Sequence, residues 1–152
     1  MIQVKNLTKY YGPHLAVDHI SFTVETGEIV GFLGPNGAGK STTLRILTCY
    51  MPASGGSASV AGFDVFSDSL EVRRRIGYLP ESNPLYPEMR VREFLNFRGK
   101  LRGMSRGERD QGLTRVIDKC WLGDFIDRPI GQLSKGMKQR VGLADALLHD
   151  PE

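Results

Sequence analysis

Within this 152-residue chain, the segment Gly34-Pro35-Asn36-Gly37-Ala38-Gly39-Lys40-Ser41-Thr42 holds the residue types best suited to chemistry. Gly34, Gly39, Lys40 and Ser41 occupy the fixed positions of the phosphate-loop pattern G-x-x-x-x-G-K-[ST]. Polyphosphate is gripped by backbone N–H groups, which crowd around it only where side chains are absent. Glycine supplies that bareness and admits the positive φ angles such a loop needs. A nest of successive amides then surrounds one phosphate, and a helix starting near Gly39 aims its positive end at the same charge. Lys40 adds a point charge between the β- and γ-phosphates, and the Ser41 hydroxyl is a ligand for Mg²⁺.

The flanks carry the elements that must position this loop. Glu28-Ile29-Val30-Gly31-Phe32-Leu33 is an apolar run between Gly27 and Gly34, which predicts a buried parallel strand. Thr42 to Thr48 places Leu44 and Leu47 at helical spacing, so strand, loop and helix follow in order. Upstream, Ile2-Gln3-Val4 and the alternation of Ile20, Phe22 and Val24 predict two antiparallel strands, joined through a turn at Tyr11-Gly12-Pro13. Tyr11 has two readings, core packing or an aromatic plate for a nucleobase. Downstream, Pro52 to Gly56 is a loop and Ser57 to Val60 a short strand. Ser67-Asp68-Ser69 offers caps to a helix ending near Arg75, and Ile76 to Leu79 is a compact strand stopped by Pro80.

From about residue 88 the pattern turns helical. Phe94, Leu95, Phe97 and Leu101 share one face; Leu113, Val116, Ile117 and Cys120 share another; Val141, Ala144, Leu147 and Leu148 a third. Gly103, Gly123 and Pro129 punctuate these helices. Ser134 is a good N-cap for the last of them. With Lys135 and Gly136 beside it, that helix start is also a potential anion site.

Composition narrows the class further. A chain that is 40% hydrophobic and 24% charged suits a soluble globular domain. The net charge of +3 is mild. Arg73-Arg74-Arg75 is its one tight cluster, read as a solvated helix face; no interleaved aromatics point to nucleic acid. Cys49 and Cys120 match no metal-ligand spacing, which predicts free thiols in a reducing compartment. His14, His19 and His149 do not cluster and are assigned structural roles. No apolar run reaches membrane-spanning length and no signal region precedes the first strand, so a cytoplasmic protein is expected.

Three stretches in one order resemble the nucleotide-binding subunit of ATP-binding cassette (ABC) transporters: the loop at 34–42, Tyr78-Leu79-Pro80-Glu81, and Leu133-Ser134-Lys135-Gly136-Met137. The likeness runs from Val4-Lys5-Asn6-Leu7 through His149-Asp150-Pro151, and the segment 77–81 resembles exporter-type subunits, including the gliding-motility kind. It implies an α/β P-loop NTPase fold, three-layered with a mainly parallel sheet, carrying an N-terminal antiparallel β-subdomain and an inserted helical subdomain. Residues 1–88 would hold the α/β part and 89–152 the helical part of one nucleotide-binding domain.

The resemblance also implies roles. Tyr11 would stack on adenine, while Gly34, Asn36, Gly37, Ala38, Gly39, Lys40, Ser41 and Thr42 would hold the phosphates and Mg²⁺ of ATP. Lys40 is also the catalytic cation. Glu81 stands where the family usually has a glutamine that senses the metal and attacking water; a carboxylate accepts hydrogen bonds and approaches Mg²⁺ but donates no amide N–H. Ser134 and Gly136 would touch ATP held by the opposite subunit of a head-to-tail dimer, with Lys135 and Met137 replacing the commoner Gly and Gln. A transmembrane permease subunit is the expected partner, and nucleic acid is not. The family's Asp-Glu strand and switch histidine fall beyond residue 152, so the chain is expected to be a fragment whose hydrolytic competence alone is in question. A non-hydrolysing nucleotide-binding module is the alternative; a P-loop kinase or a GTPase is disfavoured by the Ser134 segment and the lack of an Asn-Lys-x-Asp sequence.

Overall fold

The computed structural model describes residues 1–152. The chain divides between Arg75 and Ile76 into two compact units.

The first unit is built on a four-stranded antiparallel sheet. Strand β1 (Ile2–Tyr11) pairs with β2 (His14–Val24) on one side and β3 (Gly55–Val60) on the other, and β4 (Phe63–Asp64) adds to β3. Alternation explains the hairpin: Val4 and Val17 are buried, whereas Lys5 and Asp18 face water. Register breaks at three places along β1. Asn6 and His19 absorb the irregularity at positive φ, and the freed Asn6 N–H donates to Ser21 Oγ at 2.8 Å. Helix α1 (Lys40–Leu47) contributes Ile46, Leu47 and Thr43 to the core with Leu7, Ala58 and Val60. A short α2 (Ser69–Arg75) follows an Asx turn in which the Asp64 carboxylate accepts from the Phe66 and Ser67 amides. Those amides hold the Asp64 carboxyl below its ordinary range.

The second unit is helical. Its helices are α3 (Val91–Leu101), α4 (Arg106–Lys119) and α5 (Lys135–Leu147), with 3₁₀ turns at Gly123–Phe125 and Ile130–Gln132. The apolar faces read from sequence meet in one core around Phe94, Leu95, Val116, Leu122, Val141 and Leu148, except at the end of α3, where Leu101 is 62% exposed and lies outside it. Gly103 closes α3 at φ +76°, and Ser105 caps α4 reciprocally with Glu108. At the far end of α5, His149 Nε2 lies 3.0 Å from the Ile76 carbonyl oxygen.

Two expected strands do not form. Residues 28–33 belong to no strand, and Ile29 and Leu33 are 100% and 92% exposed. Residues 76–79 are likewise unpaired. The mainly parallel sheet is therefore not present in these residues; the single sheet is antiparallel. The reason is physical: an apolar run becomes a strand only when a neighbour takes its N–H and C=O groups, and none of the four strands pairs with either segment. Within the first run, Phe32 keeps one ring contact, with Phe22 at 5.6 Å between centroids.

Candidate functional site

The glycine-rich loop is seated in the first unit. Gly37 and Gly39 have φ of +85° and +82°, values that L side chains rarely adopt, and Ala38 N–H closes a turn onto the Pro35 oxygen at 3.3 Å. Gly39 is the left-handed N-cap of α1. It is also the point of closest packing: a Cβ there would lie 2.3 Å from the Ala16 carbonyl oxygen and 3.0 Å from Val17 Cγ2. The loop is thus fixed against β2, and α1 starts from that anchor. Thr43 reinforces it, its hydroxyl donating back to the Gly39 oxygen at 3.0 Å.

Lys40 is the first residue of α1, and its ammonium crosses the loop. It donates to the carbonyl oxygens of Gly34 and Pro35, both at 2.7 Å. Both bonds tie the cation to the start of the loop. Ser41 lies in the first turn of α1 with an exposed side chain, and Thr42 follows half-buried. A hydroxyl oxygen exposed at a helix N-terminus fits a hard divalent cation brought in with phosphate oxygens.

Tyr11 ends β1, opposite His14 across the hairpin. It is 41% exposed, so the packing reading fails for this ring. Its hydroxyl donates to Met51 Sδ at 3.1 Å.

The remaining predicted residues lie in the second unit. Glu81, Lys135, Lys138 and Gln139 line a cavity of about 300 Å³, together with Ser82, Asn83 and Pro87. Ser134 caps α5 as predicted, its Oγ accepting from the Met137 amide at 3.3 Å. Gly136 is bare: a Cβ there would meet nothing within 4 Å. Ser134, Lys135 and Gly136 are all exposed at the helix start, so the cap leaves that end of α5 open to solvent.

Sequence reasoning missed several residues that shape these sites. Ala16 and Val17 seat the loop, and nothing in their types announces it. Thr43 could have been suspected from its i, i+4 relation to Gly39.

A bare, left-handed loop at the mouth of a helix, spanned by its own lysine, defines a P-loop phosphate-binding domain. Comparison carries this to a family. The model of the family described as "ABC transporter" matches residues 17–152, and the chain belongs to that family. It is 36% identical over its whole length to the linearmycin resistance ATP-binding protein LnrL of Bacillus subtilis, covering 49% of that protein. It is 38% identical over 151 residues to the Nod factor export ATP-binding protein I of Sinorhizobium fredii, covering 99% of this chain and 44% of that one. The chain therefore spans about half the length of the curated relatives it matches. Among solved structures, the ATP-binding cassette MJ0796, a dimer in a post-hydrolysis state with ADP and Pi, superposes with a TM-score of 0.84 at 29% identity, covering 99% of this chain and 71% of the other. The α/β P-loop NTPase class read from sequence is thus the fold of its structural neighbours. No helix is long and apolar enough to cross a membrane.

Proposed function

We propose that this chain is the ATP-binding part of an ABC transporter, taking Mg-ATP on the loop 34–42 and coupling its binding and hydrolysis to a membrane-embedded permease partner. The observation that carries the reading is the Lys40 ammonium held across the Gly34 and Pro35 carbonyls at the mouth of α1. There it meets the same charge that the loop amides and the helix end attract. The backbone of Asn36 to Gly39 surrounds the β-phosphate, Lys40 spans the β- and γ-phosphates, and Ser41 is the protein's oxygen ligand to Mg²⁺. Mg²⁺ held there would supply charge neutralisation for phosphoryl transfer. Tyr11 stacks on the adenine ring.

Glu81 is assigned as an acceptor for water or a metal-bound ligand. Ser134 and Gly136 approach ATP bound by a second copy in a head-to-tail dimer, as their exposure at the start of α5 permits. That the MJ0796 cassette was solved as a dimer with ADP and Pi supports pairing of two copies. The relative named for Nod factor export supports an exporter; the domain would work on the cytoplasmic side of the membrane, docked on the permease.

Isothermal calorimetry with Mg-ATP tests the reading. Replacing Lys40 by Ala removes a charge-assisted contact of about 1.5–3 kcal/mol, so affinity should fall about tenfold to a hundredfold. Equal affinities for the two proteins refute the assignment.

A further inference from the structure

Lys9 lies two residues before Tyr11 on β1, on the same side of the strand. Its ammonium stands 5.5 Å from the centroid of the Tyr11 ring. The same ammonium donates to the Pro52 carbonyl oxygen at 2.7 Å, which fixes where the charge sits. Tyr11 is held at its other end by the hydroxyl contact to Met51 Sδ, at 3.1 Å. Residues 51 and 52 thus clamp the tyrosine twice, at its tip directly and at one face through Lys9. The clamp shares a frame with the phosphate loop, because Lys9 is the register partner of Val17, and Val17 is the side chain against which Gly39 packs.

We propose that Lys9 is a positioning residue for nucleobase binding. It covers one face of Tyr11 and leaves the other as the plate on which the base stacks. A cation over an aromatic face is attracted by the ring quadrupole and draws π density toward itself. The opposite face becomes less negative and stacks better against an electron-rich purine. Lys9 therefore both orients the ring and tunes it, without touching the nucleotide. This deepens the proposed role of Tyr11 and rests on it.

The test separates base from phosphate, with Mg-ATP and magnesium tripolyphosphate titrated in parallel into the wild-type chain, Lys9→Met, Lys9→Arg, Tyr11→Ala and the Lys9→Met/Tyr11→Ala double variant. Methionine keeps an unbranched apolar stem and removes the charge. Lys9→Met should weaken Mg-ATP about two- to fivefold, the range of an exposed cation–π contact, and leave tripolyphosphate unchanged. Lys9→Arg should restore ATP affinity, and in the Tyr11→Ala background Lys9→Met should have no further effect. The proposal is overturned if Lys9→Met binds Mg-ATP as the wild type does. It is also overturned if ATP and tripolyphosphate weaken together, which would make Lys9 a plain phosphate cation, or if the loss persists without Tyr11. A wild-type chain that takes up tripolyphosphate but prefers ATP no more strongly would fail the Tyr11 reading itself. One that takes up neither would fail the phosphate-loop reading, and the role of Lys9 with it.

Discussion

Replacing Gly39 by alanine probes how the phosphate loop is seated. The added methyl group would sit 2.3 Å from the Ala16 carbonyl oxygen and 3.0 Å from Val17 Cγ2. No rotamer change relieves a clash with backbone, so β2 or the start of α1 must shift. Two costs combine. A non-glycine residue held in the left-handed region costs about 1–2 kcal/mol, and forcing an extra methyl group into a packed contact costs about 1–3 kcal/mol. The total is about 2–5 kcal/mol, a large share of a small domain's stability. Gly37 provides the control, since its φ is +85° but a Cβ would meet nothing within 4 Å. Gly37→Ala therefore incurs only the first cost, and the difference between the two variants isolates the clash at about 1–3 kcal/mol. Amide hydrogen exchange at Val17, Thr43 and Ile46, followed through a urea series, reads the first unit by itself. Global signals would mix it with the second, where a separate transition is allowed. Equal protection in the two alanine variants would refute the seating of the loop on β2.

Three further outcomes are expected. His149 is held below its ordinary 6.5 by burial first and by the Arg102 charge second. The unfolded chain therefore takes up the proton more readily, so this contribution is full above about pH 6.5 and is lost as pH falls below it. Urea midpoints of the helical unit should drop between about pH 7.5 and about pH 5.5, and His149→Gln should flatten that slope; an equal slope in both proteins contradicts the assignment. Ser134→Ala should cost about 1 kcal/mol through the lost cap. Ser134→Asp should keep the cap yet abolish ATP-driven dimerisation in sedimentation runs by opposing phosphate with a carboxylate, and undiminished dimers would exclude Ser134 from the nucleotide interface. Asp145, only 9% exposed, receives Arg98 Nε on both oxygens at 3.0 and 3.1 Å. Asp145→Asn should destabilise the unit by about 1–3 kcal/mol, less than a fully buried pair because Arg98 is partly solvated. A melting temperature matching the wild type would show that solvent already screens the pair.

By itself the sequence determined what local chemistry determines. Gly34 to Ser41 is legible as a candidate phosphate grip because bareness, a lysine and a hydroxyl at fixed spacing are what such a grip requires. The faces of α3, α4 and α5 are legible because a helix makes its hydrogen bonds within itself, leaving only periodicity to read. Ser134 is visible as a cap for the same reason. Tertiary structure alone decided the rest. The apolar runs at 28–33 and 76–79 look like strands, but a strand is completed by another stretch of backbone, and neither finds one here. The contact of Gly39 with Ala16, the Pro52 carbonyl that holds the Lys9 ammonium and the Met51 sulfur that holds the Tyr11 hydroxyl all depend on segments distant along the chain coming together. Residue types can propose such contacts, but only the path of the backbone brings their atoms within reach.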